Sequence, residues 1–321
     1  MIDGHGDDTY KYRDIRLNFS SNIPTFVDLT ALEEHLRTRM SLIRSYPEPS
    51  ARTLEKRIAD SIGKSVDEVM VTSGATEAIY LVAQCLAQEG KSFTVIHPTF
   101  SEYESACRMF GLQESVGGDV CWLCNPNNPT GEVFDDAYVK GHTQRHRWLV
   151  IDQSYEDYTL TPPNTANLPN VITLHSMTKK YCIPGLRLGY ITTSPDVIAL
   201  LRRLRRPWAV NALAIEAGLW LMEHRPKLID MPAYLAEAKR LCTALNNIPG
   251  IHAHDTQTNF MLCTIEKHTA AELKDYLATR HGILIRDASN FQGLSPHHFR
   301  VAAQRPQDND MLVKAIMNYE L

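Results

Sequence analysis

Apolar residues recur along the first two thirds of the chain at spacings that predict helices and strands in turn. Leu29, Leu32, Leu36, Met40 and Ile43 follow one another at three- and four-residue steps, which is typical of an amphipathic helix. The segment before this helix has no regular apolar spacing. We therefore expect an irregular amino-terminal arm that leads into a helix.

Short apolar runs then alternate with segments of helical spacing. The predicted strands are Val69–Thr72, Phe93–His97, Val120–Cys124, Trp148–Asp152, Val171–His175 and Leu188–Thr192. The predicted helices between them include Ala75–Gln88 and Phe100–Phe110. Strands that alternate with helices are typical of an α/β fold with a mostly parallel, doubly wound sheet covered by helices.

The pattern changes after residue 225. The elements predicted there are a long helix Pro226–Asn246, the strand Phe260–Thr264, the helix Ala270–His281, the strands Ile283–Arg286 and Phe299–Ala302, and a last helix. Such a mixture predicts a smaller α+β unit. We therefore expect an arm at residues 1–28, a large domain at 29–225 and a small carboxy-terminal domain at 226–321.

Length and charge fit two globular domains and disfavour some classes of partner. The chain has 321 residues, 44% of them hydrophobic and 22% charged, and domains have about 100–200 residues each. Its 33 Lys and Arg against 37 Asp and Glu give a net charge of −4, which provides no general attraction to nucleic acid or anionic lipid. No apolar run approaches the length of a membrane span. We expect no nucleic-acid partner and no membrane.

The cysteines indicate the cellular compartment. The seven cysteines are odd in number and mostly lie in apolar runs, which favours buried thiols in a reducing environment. The segment from Met1 to Asp8 carries acids and glycines, where a secretory signal carries a positive charge and an apolar stretch. We therefore expect a cytoplasmic protein.

Polar residues follow four of the predicted strands, and ligands of open α/β sheets bind at the carboxyl ends of strands. The four segments are Thr72-Ser73-Gly74-Ala75-Thr76, Asn125-Pro126-Asn127-Asn128-Pro129-Thr130-Gly131, Asp152, and Ser176-Met177-Thr178-Lys179 with Arg187 eight residues later. Taken singly, the first three are also explained by helix capping or by a rigid turn. The fourth, a lysine beside two hydroxyls and followed by an arginine, is a rarer set.

Together the four segments provide the groups that bind and use pyridoxal 5′-phosphate. A lysine amine forms a Schiff base with an aldehyde. A carboxylate that faces a pyridine nitrogen keeps that nitrogen protonated, and hydroxyls, helix-start amides and an arginine hold a phosphate. The sequence therefore predicts a pyridoxal phosphate enzyme.

With these motifs the chain resembles the fold-type I aminotransferase superfamily over nearly its whole length. The resemblance implies that Lys179 carries the cofactor and that Asp152 pairs with the pyridine nitrogen. It also implies that Asn128 and Tyr155 hydrogen-bond the ring hydroxyl. The residues implied around the cofactor phosphate are Gly74, Ala75, Thr76, Ser176, Thr178 and Arg187.

Two aromatic residues extend this resemblance. Phe100 matches the aromatic residue that stacks on the cofactor ring. Tyr46, in Ser45-Tyr46-Pro47-Glu48-Pro49, matches the tyrosine that enters the phosphate site of the partner subunit. A homodimer is therefore expected.

Within the superfamily the chain is similar to threonine-phosphate decarboxylases of cobalamin biosynthesis first and to histidinol-phosphate aminotransferases second. The stretches that carry this similarity are His5-Gly6, Leu17–Ile23, Ile183–Tyr190, Pro207–Ala214, Ile283–Arg286 and Phe299–Ala302. The resemblance implies that Arg300 binds the substrate carboxylate. The other residues implied around the anionic ends of the substrate are Arg286, His5 and Asn22. A substrate with a carboxylate and a phosphate requires rigid bidentate partners, and either arginine can take either anion.

Two segments depart from the family pattern. Asp152-Gln153-Ser154 stands where the family has Asp-Glu-Ala, so a neighbour of the ring changes while the aspartate is kept. The segment from Gly111 to Cys121 is shorter than its counterpart, and a surface strand or helix is expected to be missing there.

Two motifs, one of cysteines and one of histidines, lack the additional ligand residues that a metal site requires. Cys121-Trp122-Leu123-Cys124 has no second CxxC or suitably spaced histidine pair, so a core strand is the favoured interpretation. His142 and His146 have i, i+4 spacing without a Glu-bearing metal motif, and we interpret them as structural. We predict no metal site.

Three functions remain open at this stage. The first is a lyase that decarboxylates L-threonine O-3-phosphate to aminopropanol phosphate. The second is an aminotransferase that acts on histidinol phosphate or a similar compound. The third is a non-catalytic sensor, which is disfavoured because such regulators carry a DNA-binding domain in the same chain and this sequence starts in the arm.

Overall fold

The fold of the computed structural model consists of two sheets and a short strand pair, with helices packed around them. The structure describes residues 6–162, 164–165, 168 and 170–319. The strands are β1 (Leu17–Asn18), β2 (Val69–Thr72), β3 (Ser92–Val95), β4 (Gln113–Glu114), β5 (Val120–Cys124), β6 (Trp148–Asp152), β7 (Val171–His175), β8 (Gly189–Thr192), β9 (Ile251–Ala253), β10 (Phe260–Ile265), β11 (Ile283–Leu284), β12 (Arg286–Asp287) and β13 (His298–Ala302). The helices are α1 (Thr30–Thr38), α2 (Arg52–Ile62), α3 (Gly74–Leu86), α4 (Glu102–Met109), α5 (Asp136–Arg145), α6 (Met177–Lys180), α7 (Pro195–Leu204), α8 (Ala212–His224), α9 (Met231–Asn246), α10 (Ala270–His281) and α11 (Pro306–Met317).

The central sheet has seven strands in the order β2-β8-β7-β6-β5-β3-β4. Its strands are parallel except β8, which is antiparallel to both of its neighbours. The middle strands β5 and β7 are buried along their whole length, because helices cover both faces. The predicted α/β fold with a mostly parallel sheet is confirmed.

The second sheet is antiparallel, with the order β12-β13-β10-β9. In the pairing of β12 with β13, Arg286 lies directly opposite Arg300. The amino-terminal arm reaches this part of the molecule through β1, which pairs in parallel with β11. The boundaries of the three units, at residues 28 and 225, stay predictions.

The single predicted strand Ile283–Arg286 is wrong in detail, because β11 and β12 belong to different sheets. β11 pairs with the arm, and the backbone N–H of Phe19 donates to the carbonyl of Leu284 at 2.8 Å. β12 pairs with β13 instead. The arm and the carboxy-terminal sheet therefore use consecutive parts of one extended segment.

Two predicted helices have different bounds in the structure. The helix from Leu29 to Ile43 is α1 followed by a separate 3₁₀ turn, Met40–Arg44. The helix from Pro226 to Asn246 begins only at Met231, which places Pro232 in the first turn of α9. A proline is tolerated there, whereas inside a longer helix it would remove a backbone hydrogen bond.

The segment between α4 and β5 contains β4 at the edge of the central sheet. All seven cysteines lie within the described residues, where they are buried and form no disulfide. Within the same described part of the chain, no helix combines the length and the apolar character that crossing a membrane requires.

Candidate active site

A cavity of about 530 Å³ lies where the carboxyl ends of the central strands meet the arm and the second sheet. The predicted residues that line it are Ala75, Thr76, Phe100, Asn128, Asp152, Tyr155, Ser176, Thr178, Lys179, Arg187, Arg286 and Arg300. They come from both halves of the chain, so the fold brings together segments that are more than two hundred residues apart.

Lys179 lies on α6, the short helix that directly follows β7. Its Nζ donates a hydrogen bond to the backbone carbonyl of Ser21 at 2.8 Å and lies 5.8 Å from the ring centre of Tyr155. Burial, together with the charges of Arg300 and Arg187, lowers the pKa of Lys179 to about 8. A larger fraction of this amine is therefore neutral near pH 7 than in an exposed lysine.

The neighbouring Lys180 occupies a different environment. Its Nζ lies 2.8 Å from the carboxylate of Asp157 and 5.7 Å from the ring centre of Tyr181. The ion pair and the coulombic effect of Asp157 raise the pKa of Lys180 above its ordinary value, although burial opposes this. Lys180 is absent from the lining of the cavity, so only one of the two lysines meets the other candidate residues.

Asp152 ends β6, is buried and lines the cavity. One carboxylate oxygen accepts a hydrogen bond from the hydroxyl of Tyr103 at 2.7 Å, and the other accepts from the backbone N–H of Ser154 at 2.8 Å. Burial and the adjacent Asp152 raise the pKa of Tyr103 far above its ordinary value, so its hydroxyl stays a donor. These bonds fix the orientation of the carboxylate.

The start of α3 and Arg187 form a concave, positively charged wall. Gly74 has φ +77°, and a Cβ added there would lie 2.8 Å from Nη2 of Arg187. The guanidinium therefore lies directly against the first backbone turn of the helix, where unpaired N–H groups point outward. The lining of the cavity includes Ala75 and Thr76 from this turn and the hydroxyl residues Ser176 and Thr178.

Arg300 and Arg286 lie opposite each other on paired strands, line another part of the cavity wall and are both buried. Arg300 donates to the side-chain oxygen of Asn128 and, at 2.5 Å, to the carbonyl of Ser20. Arg286 donates to the carbonyl of Asp287 at 2.6 Å and to the side-chain oxygen of Asn290 at 2.7 Å. These partners are neutral, and burial lowers the pKa of each arginine to about 10.

The two guanidinium charges have no carboxylate within ion-pair distance among the residues that the structure describes. Two like charges held together in a buried position are unfavourable unless an anion compensates them. This wall of the cavity is therefore an anion-binding surface.

Three of the predicted site residues that the structure describes do not line the cavity, and the first of them, Gly74, directly precedes Ala75 and Thr76, which do. Asn22 is fully buried between Ser21 and Ile23, which do line it. Tyr46 is 84% exposed, with its ring centre 5.2 Å from that of Trp208. His5 lies outside the described residues.

Several residues at the cavity were missed by sequence reasoning. Tyr103, which bonds Asp152, lies three residues after the predicted ring-stacking residue Phe100, about one turn of the predicted helix Phe100–Phe110, and that spacing could have indicated it. The carbonyls of Ser20 and Ser21 carry no side-chain signal, since any residue supplies a carbonyl.

The chain matches the family described as aminotransferase class I and II over residues 14–116 and 111–316. It belongs to this family. A protein of Caldanaerobacter subterraneus provisionally named threonine-phosphate decarboxylase is 32% identical over 97% of this chain and 92% of its own length. A histidinol-phosphate aminotransferase of Symbiobacterium thermophilum is 30% identical over 87% of this chain and 84% of its own.

The fold also agrees with that of a solved structure. The crystal structure of L-threonine-O-3-phosphate decarboxylase from Porphyromonas gingivalis superposes with a TM-score of 0.90 at 35% identity. The match covers 94% of this chain and 99% of that one. The expected fold-type I architecture and the resemblance to this superfamily are confirmed.

Proposed function

We propose that this class I and II family member decarboxylates L-threonine O-3-phosphate to (R)-1-aminopropan-2-yl phosphate for cobalamin biosynthesis, with pyridoxal 5′-phosphate as cofactor. The observation that carries the proposal is the buried pair Arg286 and Arg300, which lines the same cavity as Lys179 and has no carboxylate within ion-pair distance among the described residues. Two relatives that are named for this activity, and that are 32% and 35% identical to this chain, support the proposal.

The residues of the cavity fit the proposed cofactor. The cationic wall of Gly74, Ala75, Thr76 and Arg187 has the donors that a phosphate requires. Because a Cβ at position 74 would collide with the guanidinium of Arg187, only glycine lets the two approach this closely. Lys179 would hold the aldehyde carbon, and Asp152 would hold the pyridine nitrogen. When bound, the cofactor supplies an acceptor for the electron pair that remains on Cα after carbon dioxide leaves.

The ring of the cofactor would be positioned by three further residues. Phe100 lines the same cavity and would stack on the ring, as in the family. Asn128 and Tyr155 would hydrogen-bond the ring hydroxyl, and burial raises the pKa of Tyr155 to about 12, so its hydroxyl remains protonated at neutral pH.

The two arginines would determine which bond at Cα breaks. They anchor the carboxylate and the phosphate of the substrate as rigid, bidentate donors. Because both belong to paired strands of one sheet, their separation is fixed. Lys179, with a pKa of about 8, would hold or return the proton at Cα, since its two protonation states are close in free energy near neutral pH.

The reaction type is tested by incubating the enzyme with L-threonine O-3-phosphate and pyridoxal phosphate in the absence of any keto acid. We expect sustained release of carbon dioxide and equimolar aminopropanol phosphate, because a decarboxylation restores the cofactor in each turnover. The measurement is trapped carbon dioxide together with chromatography of the amine product.

The same assay separates the decarboxylase from its runner-up. A histidinol-phosphate aminotransferase would convert its cofactor once and then stop, and would resume only with 2-oxoglutarate and histidinol phosphate. A single stoichiometric loss of the cofactor's absorbance, with no carbon dioxide, would overturn the proposal in favour of that activity.

We also propose that the active unit is a cytoplasmic homodimer in which Tyr46 completes the site of the partner subunit. Within one chain Tyr46 is exposed and outside the cavity, so its predicted role requires a second chain. Mixing inactive Tyr46→Ala and Lys179→Ala subunits should restore about a quarter of wild-type activity, because half of the dimers are mixed and each has one intact site.

The control for this mixing experiment is a mixture of Lys179→Ala with Asp152→Asn subunits. Asp152 and Lys179 line the cavity of one and the same chain. Each site of the mixed dimer therefore contains one of the two substitutions, and we expect no recovery of activity. Recovery in this control, or no recovery with Tyr46→Ala despite proven subunit exchange, contradicts the shared site.

A further inference from the structure

A cluster of one cysteine and two histidines lies on the face of the central sheet that α5 covers. Cys121 is the second residue of β5, His142 lies in the last turns of α5, and His146 directly follows that helix. All three are buried, with exposures of 0%, 8% and 8%. None of them lines the cavity, so the proposed reaction does not use them.

Two of the distances between their potential ligand atoms match the edges of a metal-centred tetrahedron. Sγ of Cys121 lies 3.6 Å from Nδ1 of His142, which lies 3.3 Å from Nε2 of His146. With Zn–S near 2.3 Å and Zn–N near 2.05 Å, tetrahedral angles separate sulfur from nitrogen by about 3.6 Å and two nitrogens by about 3.3 Å. All three atoms lie within 4.8 Å of one another.

The surroundings of His146 direct a lone pair toward the cluster. Its Nδ1 lies 2.7 Å from the carbonyl of Gly118, and since a carbonyl only accepts, Nδ1 carries the hydrogen in the neutral ring. Nε2 is then unprotonated and faces His142. The side chain of Asn170 donates to the carbonyl of His146 at 3.0 Å, which holds the end of α5 in place. A ring nitrogen bonded to a carbonyl is the usual outer contact of a metal-binding histidine.

Hydrogen bonds alone do not satisfy this cluster while its rings are neutral. If Nδ1 of His142 carries a hydrogen, it donates to His146 and leaves the thiol of Cys121 without an acceptor there. If Nδ1 is unprotonated, it accepts from the thiol, and Nε2 of His146 faces a second lone pair. One cation at the centre satisfies all three atoms together.

We propose that Cys121, His142 and His146 bind one Zn²⁺ ion, with a water molecule in the fourth position. A thiolate with two imidazoles is a donor set that suits Zn²⁺. Binding replaces the thiol hydrogen with the metal and releases one proton, while the hydrogen of His142 moves to Nε2 of its ring. Cys124 is not the fourth ligand, because it lies three residues along the strand, on the opposite face, and lines the cavity. The ion would fasten the end of α5 to β5.

The test uses the 321-residue chain without a polyhistidine tag. The protein is stripped with a chelator, loaded with Zn²⁺, desalted and analysed for metal by mass spectrometry. We expect one Zn²⁺ per chain, and at least a tenfold weaker affinity in Cys121→Ser and in His146→Gln. Loading with Co²⁺ should produce a thiolate-to-metal charge-transfer band in the unaltered chain, a readout that requires no variant to fold.

Two matched controls should keep the metal. Cys107→Ser changes a fully buried thiol on α4, and His252→Gln with His254→Gln changes a pair of exposed histidines, all outside the cluster. Failure of the unaltered chain to retain Zn²⁺, absence of the charge-transfer band, or equal retention by Cys121→Ser would each overturn the assignment. A loss of decarboxylase activity without loss of metal would concern the proposed function alone.

Discussion

Replacing Lys179 with alanine should reduce turnover of L-threonine O-3-phosphate by at least about 1,000-fold, since both covalent attachment and proton transfer at Cα require an amine. The pKa of about 8 makes roughly a tenth of this amine neutral at pH 7, against less than about one in a thousand for an ordinary lysine. The variant should still fold, because within the described part of the chain the amine donates a single hydrogen bond, to the carbonyl of Ser21. Initial rates and circular dichroism measure the two effects.

Lys180→Ala is the matched control for this prediction. Its amine pairs with Asp157 outside the cavity, so we expect the variant to keep most of the activity and the covalent cofactor. Borohydride reduction followed by peptide mapping should label Lys179 in the unaltered enzyme and in Lys180→Ala. A label on Lys180 would show that the wrong lysine has been assigned.

The position of the site along the central sheet could be predicted because its residues directly follow apolar runs. Asp152 ends β6, and Lys179 comes four residues after the end of β7, so the parallel order of these strands places them at one edge. The bounds of β5, β6 and β7 agree with the prediction for the same reason: strands buried on both faces are continuous apolar runs. In this part of the chain, the strand ends that the sequence predicts therefore also predict where the site residues lie in the fold.

The contacts between the arm, the second sheet and the cavity could not be derived from spacing. Arg286 lies opposite Arg300 because of the register between β12 and β13. The loop that joins these two strands determines that register. The hydrogen bond from Lys179 to Ser21 joins residues 158 positions apart through a backbone carbonyl. Only the resemblance to a family indicated that these arginines share a site.

The proposed metal site at Cys121 was not predicted from the sequence, because the helix that positions its histidines was not predicted. α5 has few apolar residues, so its pattern did not indicate a helix, and His142 and His146 had no partner in sequence. Packing of α5 over β5 brings them to Cys121. The two cysteines of the CxxC motif do not join in this cluster, because residues at an odd separation lie on opposite faces of a strand.

Replacing Asp152 with asparagine is the second change with a large expected effect. The carboxylate would stabilise a protonated pyridine nitrogen, and removing one member of a buried charge pair costs about 3–5 kcal/mol. At about 1.4 kcal/mol for each factor of ten, turnover should fall by about 100- to 4,000-fold. The amide oxygen can still accept from the N–H of Ser154, so the variant should fold and bind the cofactor. Steady-state rates and the cofactor's absorbance measure the outcome.

Tyr103→Phe separates the charge of Asp152 from its orientation. This variant removes the 2.7 Å hydrogen bond to the carboxylate but leaves its charge, and the ring keeps its stacking on Trp122 at 5.3 Å. Losing one hydrogen bond to a charged group costs about 1.5–3 kcal/mol at most, so the rate should fall less than in Asp152→Asn. If the two variants lose activity equally, the carboxylate acts by holding local structure; if Asp152→Asn alone is severely impaired, its charge is what the reaction requires.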